Sequence, residues 1–344
     1  MSPADSPIVS SSAVKQAARE LGFPLVGLAR AEPLDPAPLR RWLDAGYAAG
    51  LAVMRTRLEE RLDPSVILPG AKTVLVLGIP YGEQKPTDGL QPIIARYARG
   101  RDYHYAHRDR MRHLRKQLRA FVPSLRDYAC VDAGAAMEKA WAERAGVGFI
   151  GKNGMVISPR FGSWFTLSLM VLDCEVDQYD EPHPRLCGDC DKCLRACPTQ
   201  AFPTPGVVDC RRCLAYHTVE NHEAIPSDIA ARLKTRAFGC DVCQTVCPFN
   251  RGELPEGDPR QAPRPLGLMD AAAIAALTEE EYDRLSAGTP MRRIRYHGLR
   301  RNACLSLGST RARTAEKLLE RLTNDPNDLV RNAAVWALGR LRED

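Results

Sequence analysis

Along the first half of the chain the apolar residues switch between two periods. Over residues 13–30 the pattern predicts a helix, AVKQAARELG, that stops near Gly22, and then a strand, FPLVGLAR. Residues 37–49 read as helical. TVLVLGIPY, from Thr73 to Tyr81, is a continuous apolar run rich in β-branched residues and fits a buried strand; GEQKPTDG after it reads as a loop. A long helix is predicted over 104–121, a strand over 128–133 (YACVDA), a helix over 137–146 (MEKAWAERAG) closing at Gly146, and a strand over 165–172 (FTLSLMVL). Interleaved strands and helices predict an α/β domain over residues 1–179.

From Asp180 the periodicity dissolves. Pro, Gly and Cys dominate to about Pro259, a texture of loops held by metal rather than by a large apolar core. DPRQAPRPLG, 258–267, reads as a linker. Beyond it the helical period returns and repeats: LRRNACLSLG (299–308) aligns with VRNAAVWALG (330–339) at a spacing of 31, with TAEKLLERLTND helical between them. This is the pattern of a short HEAT-like unit. The expectation is an α+β multidomain protein: an α/β domain at 1–179, a cysteine-rich module at 180–258 and helical repeats at 259–344.

Composition refines this picture at two points. The 344 residues carry a net charge of only +6, but the basic residues cluster. Nine Arg or Lys lie between Arg96 and Arg119 against two acids, Asp102 and Asp109, with His104, His107 and His113 interleaved; Arg292, Arg293, Arg295, Arg300 and Arg301 form a second group. Such stripes either meet phosphates or form solvated helix faces. The polar opening MSPADSPIVSSSAVKQ lacks the apolar core of a signal peptide, and no apolar run is long enough to span a bilayer. A cytoplasmic protein with no membrane partner is therefore expected. In that reducing compartment twelve cysteines point to metal rather than to disulfides.

Their spacing says which metal. Cys187, Cys190, Cys193 and Cys197, followed by Pro198, form C-x2-C-x2-C-x3-C-P, the run that in two-cluster ferredoxins gives three ligands to one [4Fe–4S] cluster and the fourth to the other. A tight loop wraps three corners of a cubane, and the fourth corner faces away. The second run, Cys240-x2-Cys243-x3-Cys247-Pro248, matches the tail of the motif but has Ala237 where its first cysteine would stand. The crossed pattern assigns Cys187, Cys190, Cys193 and Cys247 to one cluster. Cys197, Cys240, Cys243 and either Cys210 or Cys213 hold the other. Zinc also uses C-x2-C pairs, but not four close cysteines ending in C-P. Cys130, Cys174 and Cys304 fall on strand or helix patterns and read as buried apolar residues.

Clusters need an acceptor, and the first domain has no G-x-G-x-x-G after a strand to hold a dinucleotide. It does have YARGRDYH (97–104), VDAGAAMEKAWAERAGVGFIGKNG (131–154) and FGSWFTLSL (161–169), and these are followed by RRCLAYHT (211–218) and CDVCQTVCPFN (240–250). Together they resemble the epoxyqueuosine reductase family over nearly the whole chain. The resemblance implies a cobalamin-binding first domain and reduction of the epoxide of epoxyqueuosine, in a tRNA anticodon loop, to queuosine. Electrons would come from an external low-potential donor through both clusters to cobalamin, in a protein expected to be a monomer. It implies Cys213 as the open ligand, since the family's R-R-C-x-x-Y falls on Arg211 to Tyr216. It puts Cys240, Asp241, Val242 and Cys243 against the corrin and the catalytic acid on Asp132. Lys152, Asn153, Ser158, Ser163 and Arg61 carry over as cofactor contacts, although Lys152 and Asn153 also read as a polar turn; His104, with Asp102 and Tyr103, either lines the substrate pocket or caps the basic helix. Phe149 stands where the family often has Trp, Ala135 where it often has Pro, and Ala98 where some relatives carry a cysteine near the cobalt. Two other readings compete: a reductive dehalogenase-like enzyme, which also pairs cobalamin with two clusters, and a plain electron carrier whose first domain does no chemistry. Cobalamin in the purified protein separates the carrier from both enzymes.

Overall fold

The computed structural model describes residues 8–81, 93–132, 134–251 and 256–343, so the loop read over 82–89 lies outside the described residues. The first domain is built on a sheet of β1 (Leu25–Arg30), β2 (Thr73–Pro80), β3 (Asp127–Cys130) and β4 (Phe165–Leu172), in the order β1-β2-β4-β3. Every pairing is antiparallel. β2 lies inside the sheet and is buried at all its positions, as its unbroken apolar run requires. One face of the sheet packs Leu75, Leu77 and Met170 on helices α1 (Ser11–Glu20) and α2 (Tyr103–Phe121). The other packs Val74, Val76 and Leu169 on Trp141 and Ala142 of helix α3 (Glu138–Arg144). The alternation along β2 and β4 thus feeds two cores.

Helix α2 is basic on its outer side only. His107, inside, is flanked by Ser168 Oγ at 2.7 Å and Thr166 Oγ1 at 2.8 Å, which fixes the helix over β4. Burial pushes this imidazole down to about 3, so it works as a neutral strut.

The stretch 258–267 is not a free linker. The Asp258 carboxylate is nearly enclosed and pairs with Arg110 at 2.8 Å. Asp258 N–H donates to Pro80 O at 3.0 Å, Arg264 N–H to Arg99 O at 2.9 Å, and Leu266 is fully buried. The contact is close enough that a Cβ on Gly100 would lie 2.1 Å from Gln261 O. The stretch reads as a linker in sequence, but the Asp258 carboxylate and the Arg264 backbone are bound to the first domain and the Arg264 guanidinium to Ala287 O of the helical part.

In the cysteine-rich module, α4 (Lys192–Ala196), α5 (Leu214–Val219) and α6 (Val242–Thr245) are single turns beside the cysteines, and α4 packs on α6. The helical part contains α7 (Ala271–Ala276), α8 (Arg295–Ser309), α9 (Glu316–Leu322) and α10 (Asp328–Arg342). Helices α8 and α10, the two repeat copies, pack directly on each other.

Helix α8 is buried on nearly every side, which corrects the reading of its arginines as a surface stripe. Arg300 pairs with Asp325 at 2.8 Å and donates to Ala275 O. Arg301 is 1% exposed and donates to the carbonyls of His217, Asn221 and Glu223. Asn302 donates to Thr218 O at 2.9 Å and Ala237 O at 2.8 Å. The clamp therefore grips the backbone just after Cys213 and just before Cys240. Replacing Arg301 by Met would leave two buried acceptors, His217 O and Asn302 Oδ1, without this donor, and would release the half-buried carbonyls of Asn221 and Glu223 to water. At about 1–3 kcal/mol for each buried acceptor, the expected result is a loss of at least ~2 kcal/mol, read by thermal unfolding, with iron released in the same transition. Unfolding at the wild-type temperature would mean that water replaces the guanidinium.

Candidate active site

An open cleft of about 290 Å³ lies between the sheet and the second cysteine run. Tyr81, Tyr97, Met155, Val156, Phe165 and Leu167 give it apolar walls. Tyr103, Asp132, Glu138 and Lys139 line it from the first domain, and Cys240, Asp241 and Gln244 from the cluster module. A parallel bridge between Ile94 and Phe238 and the bond from Arg96 N–H to Asp241 Oδ2, 2.9 Å, hold the two parts together. Burial raises the Asp241 carboxyl above the usual range, and the Arg96 N–H works in the opposite direction.

Asp132 follows β3 with φ of +54°, a left-handed conformation that Asp tolerates better than most residues. That turn aims a 57% exposed carboxylate into the cleft. Tyr103 Oη donates to Asp132 Oδ2 at 2.8 Å. Burial, and then the Asp132 charge, push the Tyr103 phenol far above its ordinary value, so it remains a donor. His104 Nε2 stands 4.0 Å from the same oxygen, and its Nδ1 is 2.7 Å from Asp102 Oδ1. Arg293, from the start of the helical part, pairs with Glu220 at 2.6 Å. Burial works against its charge, yet Glu220, and then Asp132 and Tyr103, hold its pKa above the usual value.

The carried-over residues separate by position. Ser163, Cys240 and Asp241 line the cleft with Asp132. Ser163 Oγ donates to Gln244 Oε1 at 2.9 Å, and Asn153 donates to Cys243 O, so these two brace the loop that carries Cys240 to Cys243. Val242 and Cys243 belong to α6 behind that wall. Lys152 Nζ donates to Gly188 O at 2.6 Å, inside the first cysteine run. Ser158 pairs its backbone with Gly162. Arg61 is buried and donates to Val53 O, Thr56 O and Gly134 O, so it holds the segment that follows Asp132 rather than lining the cleft. Sequence reasoning missed Glu138, Lys139 and Gln244. Glu138 and Lys139 open an ordinary amphipathic helix, and nothing in the sequence marks them.

The thiols of the two cysteine runs act on one another. Burial raises the Cys193 and Cys247 thiols; after burial, Cys193 responds to Cys187 and Cys247, and Cys247 to Cys187 and Cys190. Cys243, also raised first by burial, responds next to Cys240, Cys213, Cys193 and Cys197. Cys213 lies close to Cys197 in the same way. Cys210, raised first by burial, responds next to Cys213, and its N–H donates to Tyr47 O. Cys130, Cys174 and Cys304 are buried, as their apolar settings required.

The cleft's chemistry fits a large, flat, amide-fringed macrocycle such as cobalamin. Its walls offer apolar surface to the ring faces, and the Glu138 Oε1 atom is buried with no hydrogen-bond partner among protein atoms, an acceptor suited to a peripheral amide or a substrate group.

Three family models match in chain order. Residues 61–133 match one described as "Epoxyqueuosine reductase QueG, DUF1730", residues 186–250 a 4Fe-4S double cluster binding domain, and residues 297–344 HEAT repeats. An epoxyqueuosine reductase of Gloeobacter violaceus is 41% identical over 317 residues, 88% of this chain and 97% of its own length. The chain belongs to the epoxyqueuosine reductase family. Another member, from Pseudomonas aeruginosa, is 37% identical across 99% of this chain and 96% of its own. Among solved structures, an epoxyqueuosine reductase with a tRNA-Tyr epoxyqueuosine-modified stem loop superposes with a TM-score of 0.90 at 28% identity, covering 96% of this chain and 90% of that one. A Bacillus subtilis epoxyqueuosine reductase, described as having a catalytic loop swung out of the active site, has a TM-score of 0.89 at 27% identity, with the same coverage. Family membership makes the protein an oxidoreductase with a double-cluster domain and HEAT repeats, and sets aside the plain electron carrier.

Proposed function

We propose that this protein reduces the epoxide of epoxyqueuosine in a tRNA anticodon loop to the alkene of queuosine. The observation that carries the reading is the shared cleft: a carboxylate free to meet substrate, Asp132, stands in the same cavity as a cysteine of the second cluster group, Cys240. In this reading Cys187, Cys190, Cys193 and Cys247 hold the distal cluster and Cys197, Cys213, Cys240 and Cys243 the proximal one. Cobalamin, when bound, supplies a low-potential cobalt centre for reduction of the epoxide carbons. Ser163, Asp241 and Cys240, which line the cleft, would face it, Asn153, Val242 and Cys243 would shape the loop behind them, and Lys152 and Ser158 would brace the surrounding turns. Arg61 keeps the Asp132 turn in place, and Asp132 delivers a proton to the opening C–O bond. His104 and Tyr103 orient that carboxyl. Electrons arrive one at a time from an external low-potential donor. A cytoplasmic monomer suits a tRNA substrate.

The test is direct. Protein loaded with iron, sulfide and cobalamin and reduced by a low-potential donor should convert an epoxyqueuosine stem loop, with queuosine identified by mass after digestion. No conversion by protein with full iron and cobalamin would overturn the reading.

Exposed arginines at the start of the helical part suit the RNA backbone. Arg292 is 56% exposed and only loosely paired with Asp283, and Arg295 is exposed beside it. Arg292→Glu with Arg295→Glu should weaken stem-loop binding and reduce its salt slope by about two, as expected for two lost phosphate contacts. An unchanged slope would leave these side chains as solvated surface.

A further inference from the structure

Conversion of an epoxide to an alkene breaks both C–O bonds, forms one C=C π bond and releases the oxygen as water. The balance requires two electrons, which the low-potential donor supplies through the clusters, and two protons. Asp132 accounts for one proton. The cleft holds a second carboxyl, that of Glu138, at the first residue of α3.

Glu138 is unusual for a helix-opening glutamate. It lines the cavity instead of facing solvent, and its Oε1 has no partner among protein atoms. A buried, unpartnered carboxyl oxygen costs a stable fold free energy. The charged groups acting on it come from each neighbouring element: Asp132 from the turn after β3, Arg61 from the helix Leu58–Leu62, and Lys139 beside it. It acts in turn on Tyr128 and Cys130 of β3. Lys139 Nζ is engaged with Gly154 O at 3.0 Å, so it does not close onto the carboxyl as an ion pair.

We propose that Glu138 is the second proton donor of the reaction, giving the departing oxygen the proton that converts it to water while Asp132 serves the opening of the epoxide. The assignment rests on the epoxyqueuosine reading of the cleft. Burial first, and then the Asp132 charge, push the Glu138 carboxyl up to about 7 against the opposing pull of Arg61 and Lys139, so it holds a proton up to near-neutral pH. Two carboxyls in one cavity thereby take different tasks. Asp132 is open to the mouth of the cleft. Glu138 is half-buried with its Oε1 out of solvent, and holds its proton for the departing oxygen.

The test uses holoprotein with measured iron and cobalamin, as wild type, Glu138→Gln and Glu138→Asp. In wild type, turnover of the epoxyqueuosine stem loop should fall as pH rises through about 7. Glu138→Gln should lose roughly 10²-fold in kcat with little change in KM, and the limb near neutrality should vanish. Glu138→Asp should recover part of the rate and keep a limb. Independently of turnover, infrared difference spectra of the substrate-free holoprotein should contain a protonated-carboxyl C=O band that titrates in the same range and is missing in Glu138→Gln. Wild-type kcat and an unchanged limb in Glu138→Gln would overturn the proposal, as would loss of cobalamin with normal turnover per cobalamin, which would make Glu138 a cofactor contact. Inactivity of the wild type itself would sink the substrate reading instead.

Discussion

Asp132→Asn should lower turnover of the epoxyqueuosine stem loop by roughly 10²–10⁴, the usual worth of general acid catalysis, while iron content, cobalamin content and stem-loop affinity stay near wild type. The structure makes this an unusually clean substitution. Asn tolerates the left-handed φ of +54° as well as Asp does, so the turn keeps its path. Its carbonyl oxygen still accepts the Tyr103 hydroxyl. Only the exchangeable carboxyl proton disappears. Because that proton matters in the transition state, kcat should carry the loss and KM should not. Near-normal turnover with everything bound would remove Asp132 from the chemistry and shift attention to His104 and Tyr103. Loss of cobalamin together with activity would make Asp132 a structural support of the cofactor.

Cys213→Ser should abolish turnover altogether and reduce iron from about eight to about four atoms per chain, as the loss of one [4Fe–4S] cluster requires. Cys210→Ser should keep both clusters. The two thiols are three residues apart, yet it is Cys213 that responds to Cys197 and acts on Cys240 and Cys243. Cys210 lies to one side, its backbone bound to Tyr47. Equal iron loss in the two variants would show that the ligand register is wrong. Full iron with no turnover in Cys213→Ser would mean that serine holds the cluster while altering its potential.

The elements with strong periodicity were readable from sequence. The strand of residues 165–172 and the long helix over 104–121 sit where the pattern put them, because each buries a contiguous apolar face. The cysteine run was readable for a different reason: cluster geometry imposes fixed short spacings that survive any fold. Two readings did not survive, and both concern polar residues. Arg300 and Arg301 look like a basic stripe in one dimension, but the carbonyls and the carboxylate that receive them come from segments up to 84 residues away. The 258–267 stretch looks like a linker because its partners, Arg110, Arg99 and Pro80, belong to a different domain. Glu138 failed for the same reason. Its meaning depends on an enclosed neighbourhood, and burial of a charged side chain leaves no trace in periodicity.

The arginine and asparagine clamp of helix α8 bears on how this protein can be taken apart. A fragment ended after the second cysteine run would contain both cysteine runs and the residues that line the cleft, and by sequence it would look like a self-sufficient redox unit. It would nonetheless lack the donors that hold the chain just after Cys213 and just before Cys240. The helical repeats are thus part of the scaffold of the cysteine-rich module, not an attachment to it.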